Sequence, residues 1–247
     1  MTLRVGRALR SGAAQLVTPV GVCLYLAYAL LFTVFQSTVY GLVSRLFASR
    51  SGSLVLTPVT SPLGYHASYP VYALALAVTG LGLVSLTVVL TRAFARGCQH
   101  GLPPGVFRRR AGWAVFHFVV GGLTVALVVA AGTLLFVVPG VLAYLGMLFT
   151  QFYIAVEDAP FPRAIRRSWR ATAGHRLRVL ALVASFGVFS LLDAFVAVFL
   201  TNRLFGLVPF VALEVLEVFL NTVVFVFSMA TMADAYRQLR AESYVTD

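Results

Sequence analysis

Residues 139–156 read PGVLAYLGMLFTQFYIAV, and residues 157–176 read EDAPFPRAIRRSWRATAGHR. The first stretch carries no charge and predicts a membrane span over residues 141–156, which begins at a turn formed by Pro139 and Gly140. The second stretch, which we call the foot segment (residues 157–176), is strongly basic and follows the far end of that span. The other predicted spans are placed relative to this span and the foot segment, so residues 139–176 decide both the fold class and the topology.

The composition of the chain excludes an ordinary soluble domain. Of its 247 residues, 60% are hydrophobic and 11% are charged, whereas a soluble domain has about 25% charged residues. The mean hydropathy is +0.92. Because long uncharged runs recur along the sequence, the expected fold class is an all-α, polytopic membrane helical bundle.

Hydropathy predicts six transmembrane helices within a single membrane domain that covers residues 1–247. Short amphipathic interfacial helices are expected in addition at residues 3–12 and in the foot segment, where arginines fall on one face and apolar residues on the other. The predicted spans are residues 16–40, 69–91, 113–138, 141–156, 177–200 and 207–232.

The foot segment has the sequence pattern of a short helix with a basic face. We expect Asp158 or a neighbour to cap this helix, Pro162 to lie in its first turn, and Gly174 to end it. Its arginines are either an orientation signal or a surface that binds anionic lipid or a membrane partner. Since the basic residues adjoin apolar spans, lipid head groups are expected rather than nucleic acid. The candidate contact residues are Arg163, Arg166, Arg167, Trp169 and Arg170.

The distribution of arginine predicts the orientation of the chain. Sixteen of the nineteen basic residues lie in the N-terminal segment, the loops at 92–112 and 157–178, and the C-terminal tail; Arg45, Arg50 and Arg203 lie on the opposite side. Because cytoplasmic loops are rich in arginine and lysine, both termini are predicted to be cytoplasmic in a multi-pass protein of the cell membrane.

A polar cluster is predicted inside the membrane, on the last two spans. Glu214, Glu217 and Asn221 share one face of span 6, and Asp193 lies in span 5. A charge at the bilayer centre costs roughly 2.5–3.5 kcal/mol on insertion scales, so these side chains should face the bundle interior, water or a partner. They either bind a cation or proton and line a polar pathway, or they pack as protonated acids or as ion pairs with Arg45, Arg50 or Arg203.

The sequence offers no motif for catalysis or for cofactor binding. Cys23 and Cys98 lack metal-ligand spacing, and the four histidines form neither HxxxH nor HExxH. Phosphate-binding glycine loops and the GxSxG pattern are also missing. We therefore expect no metal site, no cofactor and no enzymatic activity.

The hairpin and foot resemble the membrane domain attached to some glycerophosphoryl diester phosphodiesterases, and related uncharacterised six-span families of bacteria and archaea. The resemblance covers about 40 residues and implies an all-helical membrane domain. It does not imply phosphodiesterase activity, because the catalytic part of such enzymes is a separate soluble barrel. The matching residues are Pro139, Gly140, Glu157, Asp158, Ala164, Ile165, Arg166, Arg167, Ser168, Trp169 and Gly174.

Three functional hypotheses follow from these patterns. The first is a membrane accessory or organising protein that contacts anionic lipid or membrane partners through the foot and through small-residue helix faces. The second is a small transporter or permease whose pathway is lined by the acids of spans 5 and 6. The third, a lipid-modifying enzyme, depends on the resemblance alone. A small-residue stripe at Gly122, Ala126 and Ala130 is compatible with either internal packing or a homo-oligomer.

Overall fold

The computed structural model describes residues 4–48, 67–99, 101–103, 111–204 and 206–246, and the regular structure in these ranges is helical. Six helical stretches are long and apolar enough to cross a membrane, which confirms the predicted all-α, six-span class. They are Pro19–Leu46, Tyr69–Arg96, Ala111–Leu135, Val137–Glu157, Arg176–Leu204 and Val211–Ala241. The helices are α1 (Val5–Leu16), α2 (Pro19–Ala48), α3 (Tyr69–Arg96), α4 (Ala111–Leu135), α5 (Val137–Met147), α6 (Thr150–Glu157), α7 (Phe161–Thr172), α8 (Arg176–Leu204) and α9 (Phe210–Thr246).

The outer surface of the spans is apolar. Large side chains such as Leu74, Leu127 and Leu191 are more than half exposed. In water such a surface would drive aggregation, whereas in a bilayer these side chains contact acyl chains. The composition of the chain and the apolar outer surface of its spans therefore both indicate that lipid surrounds the spans.

The described chain divides into two compact units. The first comprises residues 1–24, 84–189 and 225–247, and the second comprises residues 25–83 and 190–224. In the first unit, α4 packs against α5, α6 and α7, and α7 also contacts α5 and α6. The single-domain assignment over 1–247 stays a prediction.

The first span begins later than predicted. The sequence suggested residue 16, but α1 continues to Leu16 and α2 starts at Pro19. Thr18 separates the two helices: its hydroxyl donates to the carbonyl of Gln15 at 2.7 Å and accepts from the N–H of Gly21 at 3.0 Å. A threonine cap followed by proline in the first turn starts a helix, because proline lacks the N–H that would be unpaired there.

The turn between spans 3 and 4 lies three residues before the predicted position. Phe136 has an extended backbone (φ −158°, ψ 142°), whereas Pro139 and Gly140 already belong to the first turns of α5. Gly140 lies against α4, since a Cβ on it would lie 2.1 Å from the Thr133 hydroxyl. Pro139 is tolerated in the first turn, and Gly140 permits close helix contact.

Span 4 is broken near its middle, although the sequence predicted one helix over 141–156. α5 ends at Met147 and α6 begins at Thr150. Ser168 of α7 fills the break: its hydroxyl donates to the carbonyl of Gly146 at 2.8 Å and accepts from the N–H of Phe149 at 3.2 Å. The foot helix thus satisfies backbone groups that the break would otherwise leave unpaired.

The predicted foot helix is present as α7, but its ends differ from the expectation. Pro160 occupies the N-cap position and no side chain caps the helix, while Pro162 lies in the first turn as predicted. Asp158 instead ends α6 in the left-handed region with φ 52°. The helix ends at Thr172, and Gly174 lies in the following turn.

Candidate functional site

The predicted intramembrane cluster lines one cavity in the second unit. Its volume is about 630 Å³, and it is bounded by α2, α8 and α9. All four predicted residues lie on its wall, so the structure brings together side chains that are up to 28 positions apart in the sequence. We call it the acidic cavity; its polar wall includes Asp193, Glu214, Glu217, Asn221, Gln36 and Tyr40.

Helix α2 contributes hydroxyl oxygens that are available as acceptors. Thr33 donates its hydroxyl hydrogen to the carbonyl of Ala29, and Ser37 donates to the carbonyl of Thr33, each at 2.8 Å. Both hydroxyls also line the acidic cavity. Because their hydrogens are used within α2, their lone pairs remain for an occupant. The carboxylates and these hydroxyl oxygens can accept hydrogen bonds from an occupant, and the side chains of Gln36, Tyr40 and Asn221 on the same wall can also donate.

The arginines considered as partners for these acids have other neighbours. The guanidinium of Arg45 lies 4.6 Å from the ring centroid of Tyr69, and that of Arg203 lies 5.4 Å from the ring centroid of Phe199. Within the described ranges, no ion pair joins either arginine to an acid of the cavity. Arg50, the third candidate, lies outside the described residues.

Helices α2 and α9 are joined next to the cavity by Tyr25. Its hydroxyl donates to the carbonyl of Phe219 at 3.2 Å, and the two rings meet edge to face with centroids 6.1 Å apart. This contact holds the helix that carries Glu214 and Glu217 against the helix that carries the hydroxyls. This contact joins the two helices without involving the acids of the cavity.

A buried ion pair in the first unit was not predicted from the sequence. Arg92, at the end of α3, is 2% exposed; its Nη2 donates to Oδ1 of Asp158 at 2.9 Å, and its Nε donates to the carbonyl of Ala155 at 2.7 Å. Asp158 is 8% exposed. In the sequence, Arg92 contributed only to the prediction of the orientation. No local pattern links it to Asp158, which lies 66 positions later.

The neighbouring acid, Glu157, joins three helices. It accepts a hydrogen bond from the hydroxyl of Tyr236 at 2.8 Å, it pairs with Arg167 of α7, and the Nε of Arg240 lies 3.5 Å from its Oε1. Arg167 was predicted to contact lipid or a partner. Its pairing with Glu157 gives it a structural role that the other foot arginines do not share.

The foot helix packs through small residues and exposes its other arginines. Ala164, Ser168 and Thr172 are fully buried. Arg163, Arg166 and Arg170 are exposed, and no ion pair involving them occurs in the part of the chain that the structure describes.

Trp169 also belongs to the packing of the foot. A Cβ on Gly146 would lie 2.2 Å from its indole ring, and the guanidinium of Arg176 lies 4.9 Å from the ring centroid. The ring is therefore held between the backbone of α5 and an arginine, while 38% of the residue remains exposed. Trp169 is at once a packing residue and a surface residue.

A family profile for a domain of unknown function, DUF7847, matches residues 3–239. The chain belongs to the DUF7847 family. The match covers the first five candidate spans and all but the last two residues of the sixth, and it includes both the acidic cavity and the foot. Searches of curated proteins and of solved structures gave no match.

The polar groups of this DUF7847 chain do not form a metal centre in the described ranges. No group of three or more histidine, cysteine, aspartate or glutamate side chains is close enough there to hold an ion. Asp193, Glu214 and Glu217 lie on the wall of the same cavity.

Proposed function

We propose that the chain is a small membrane transporter or permease that binds a positively charged solute in the acidic cavity. The observation that carries this proposal is the presence of three carboxylates on the wall of one cavity of about 630 Å³. Pockets for small molecules have volumes of about 300–1,000 Å³. An organic cation with an apolar body fits this wall, since Phe32, Val211 and Val215 also line it.

The energetics of charge in a membrane support a cationic occupant. Ionised carboxylates in a low-dielectric environment need a counter-ion or hydrogen-bond donors. Within the described residues the cavity acids have no basic partner, and Thr33 and Ser37 offer acceptors rather than donors. A bound cation would supply the missing positive charge, and a site that is filled transiently is what transport requires.

The proposal is tested by flux into liposomes that contain the purified full-length chain. The probes are radiolabelled tetraethylammonium and, in a separate assay, protons followed with a pH-sensitive dye. We expect saturable uptake of at least one probe, which falls at least about tenfold in the double variant Glu214→Gln/Glu217→Gln because the charge that binds the cation is lost.

The matched control is Asp234→Asn on the same helix. Asp234 pairs with Arg237 and Gln238 outside the cavity, so its neutralisation should leave uptake unchanged. Two results would overturn the proposal: no uptake of either probe by a folded chain, or equal uptake by the wild type and by the double variant.

A second candidate function is a membrane accessory or organising protein that contacts anionic lipid or a membrane partner. The observation that favours it is the set of exposed arginines on α7, namely Arg163, Arg166 and Arg170. Together with the arginine count along the chain, it supports a cell-membrane location with both termini cytoplasmic. Native mass spectrometry of the chain released from its own membrane tests this function. A stoichiometric anionic lipid supports it, and a chain without bound lipid or protein counts against it.

The likeness of residues 139–174 to the membrane domain of glycerophosphoryl diester phosphodiesterases belongs with this second proposal. The resemblance implies an all-helical membrane domain and does not imply hydrolytic activity. We propose no catalytic step for the chain, since neither candidate function needs one.

A further inference from the structure

The exposed arginines of α7 form a stripe that points away from the bundle. At 100° per residue, Arg163, Arg166 and Arg170 fall within an arc of about 60°. The fully buried Ala164, Ser168 and Thr172 are centred on the opposite side of the helix. The side of α7 that packs and the side that carries charge are therefore separated by about half a turn.

The foot arginines are not equivalent. Arg167 lies at the edge of the stripe and pairs with Glu157, so its charge is already compensated. The three arginines of the stripe have no carboxylate partner in the described part of the chain. Of the four arginines on α7, one therefore pairs with Glu157, and the other three carry charge that is available to a ligand.

Trp169 and Arg176 indicate the depth at which this stripe lies. α7 connects the end of span 4 to the start of span 5, so it lies on the side of the membrane where these two spans meet, and its buried side packs along span 4 as far as Gly146. Tryptophan is enriched at the level of the lipid head groups. Arg176 stacks on Trp169, and its buried Nε has no hydrogen-bond partner in the described ranges. Arginine is suited to bind phosphate because its guanidinium offers several donors in a planar fork.

We propose that the stripe Arg163, Arg166 and Arg170, together with Arg176, binds the phosphate of an anionic phospholipid head group. The inference rests on the second candidate function and assigns the lipid to particular residues. A lipid is favoured over a soluble phosphate because the stripe adjoins two membrane spans and is bordered by an interfacial tryptophan. Bidentate contacts from arginine provide the recognition.

The test is a lipid titration of the purified full-length chain by native mass spectrometry. The probes are phosphatidylglycerol, phosphatidylcholine and inorganic phosphate. We expect the wild type to bind phosphatidylglycerol in preference to both other probes. Each arginine near an anionic surface contributes about fivefold in affinity, so the triple variant Arg163→Gln/Arg166→Gln/Arg170→Gln should bind roughly 100-fold more weakly.

Two control variants make the result specific. Arg4→Gln/Arg7→Gln/Arg10→Gln removes the same total charge from α1 and should retain most of the affinity, as should Arg167→Gln. Equal loss in the α1 variant would refute the inference, because the effect would then be one of net charge. The inference would also be refuted if the triple α7 variant bound phosphatidylglycerol with wild-type affinity. In that case, lipid binding by the wild type and by the variant would still support the second candidate function. If the wild type binds no anionic lipid, that function fails together with the inference.

Discussion

Removal of the guanidinium of Arg92 should cost far more stability than removal of any surface charge. Arg92 and Asp158 are 2% and 8% exposed, and their charged atoms lie 2.9 Å apart. The substitution Arg92→Met removes a buried positive charge that pairs with Asp158, and it also removes the donor to the carbonyl of Ala155. Breaking a buried pair in this way costs about 3–5 kcal/mol, whereas an exposed pair contributes about 0–1 kcal/mol.

The measurement is the free energy of unfolding of the purified chain, from titration with sodium dodecyl sulfate followed by circular dichroism. The matched control is Arg167→Met, whose pair with Glu157 is 46% exposed on the arginine side; it should cost about 1 kcal/mol or less. The double variant Arg92→Met/Asp158→Asn should recover part of the loss, because the buried negative charge is removed together with the arginine. Asparagine also tolerates the left-handed backbone at this position.

The reasoning is refuted if Arg92→Met costs no more than Arg167→Met. It is also refuted if the double variant is less stable than Arg92→Met alone, because removal of the carboxylate would then cost stability instead of restoring it.

Two further predictions concern close packing at glycines. Gly146→Leu should displace the ring of Trp169, which lies 2.2 Å from the position of a Cβ; we expect a red-shifted tryptophan emission and a loss of about 1–3 kcal/mol in unfolding free energy. Gly12→Leu should detach α1, since a Cβ there would lie 2.1 Å from the Thr231 hydroxyl. Trypsin should then cleave at the α1 arginines at least several-fold faster, whereas Gly6→Leu, which meets nothing within 4 Å, should leave the cleavage rate unchanged.

The spans could be predicted because the bilayer constrains the residues of each span independently of the rest of the chain. A helix that crosses the hydrocarbon needs about 20 apolar residues, and this run is visible without knowledge of its neighbours. Glu214, Glu217 and Asn221 were likewise placed on one face by helical period alone. Asp193 joined them because charged side chains in a membrane turn toward each other or toward water.

The remaining features depend on contacts between distant residues. Arg92 is indistinguishable in the sequence from any other loop arginine, and only folding brings it to Asp158. The break at residues 148–149 is equally hidden, because the apolar run passes through it without interruption. Its position depends on Ser168, which supplies the hydrogen bonds that a continuous helix would have made for itself.

The break in span 4 affects the order in which parts of the chain fold during synthesis. During synthesis the halves of span 4 emerge about 20 residues before Ser168. Until α7 is made, the carbonyl of Gly146 and the N–H of Phe149 have no partner from the foot, and hydrocarbon offers none. The fourth span therefore reaches its native shape only after residue 168 has left the ribosome and α7 has folded back against it. Insertion of this hairpin is therefore completed later than the hydropathy of the span alone would suggest.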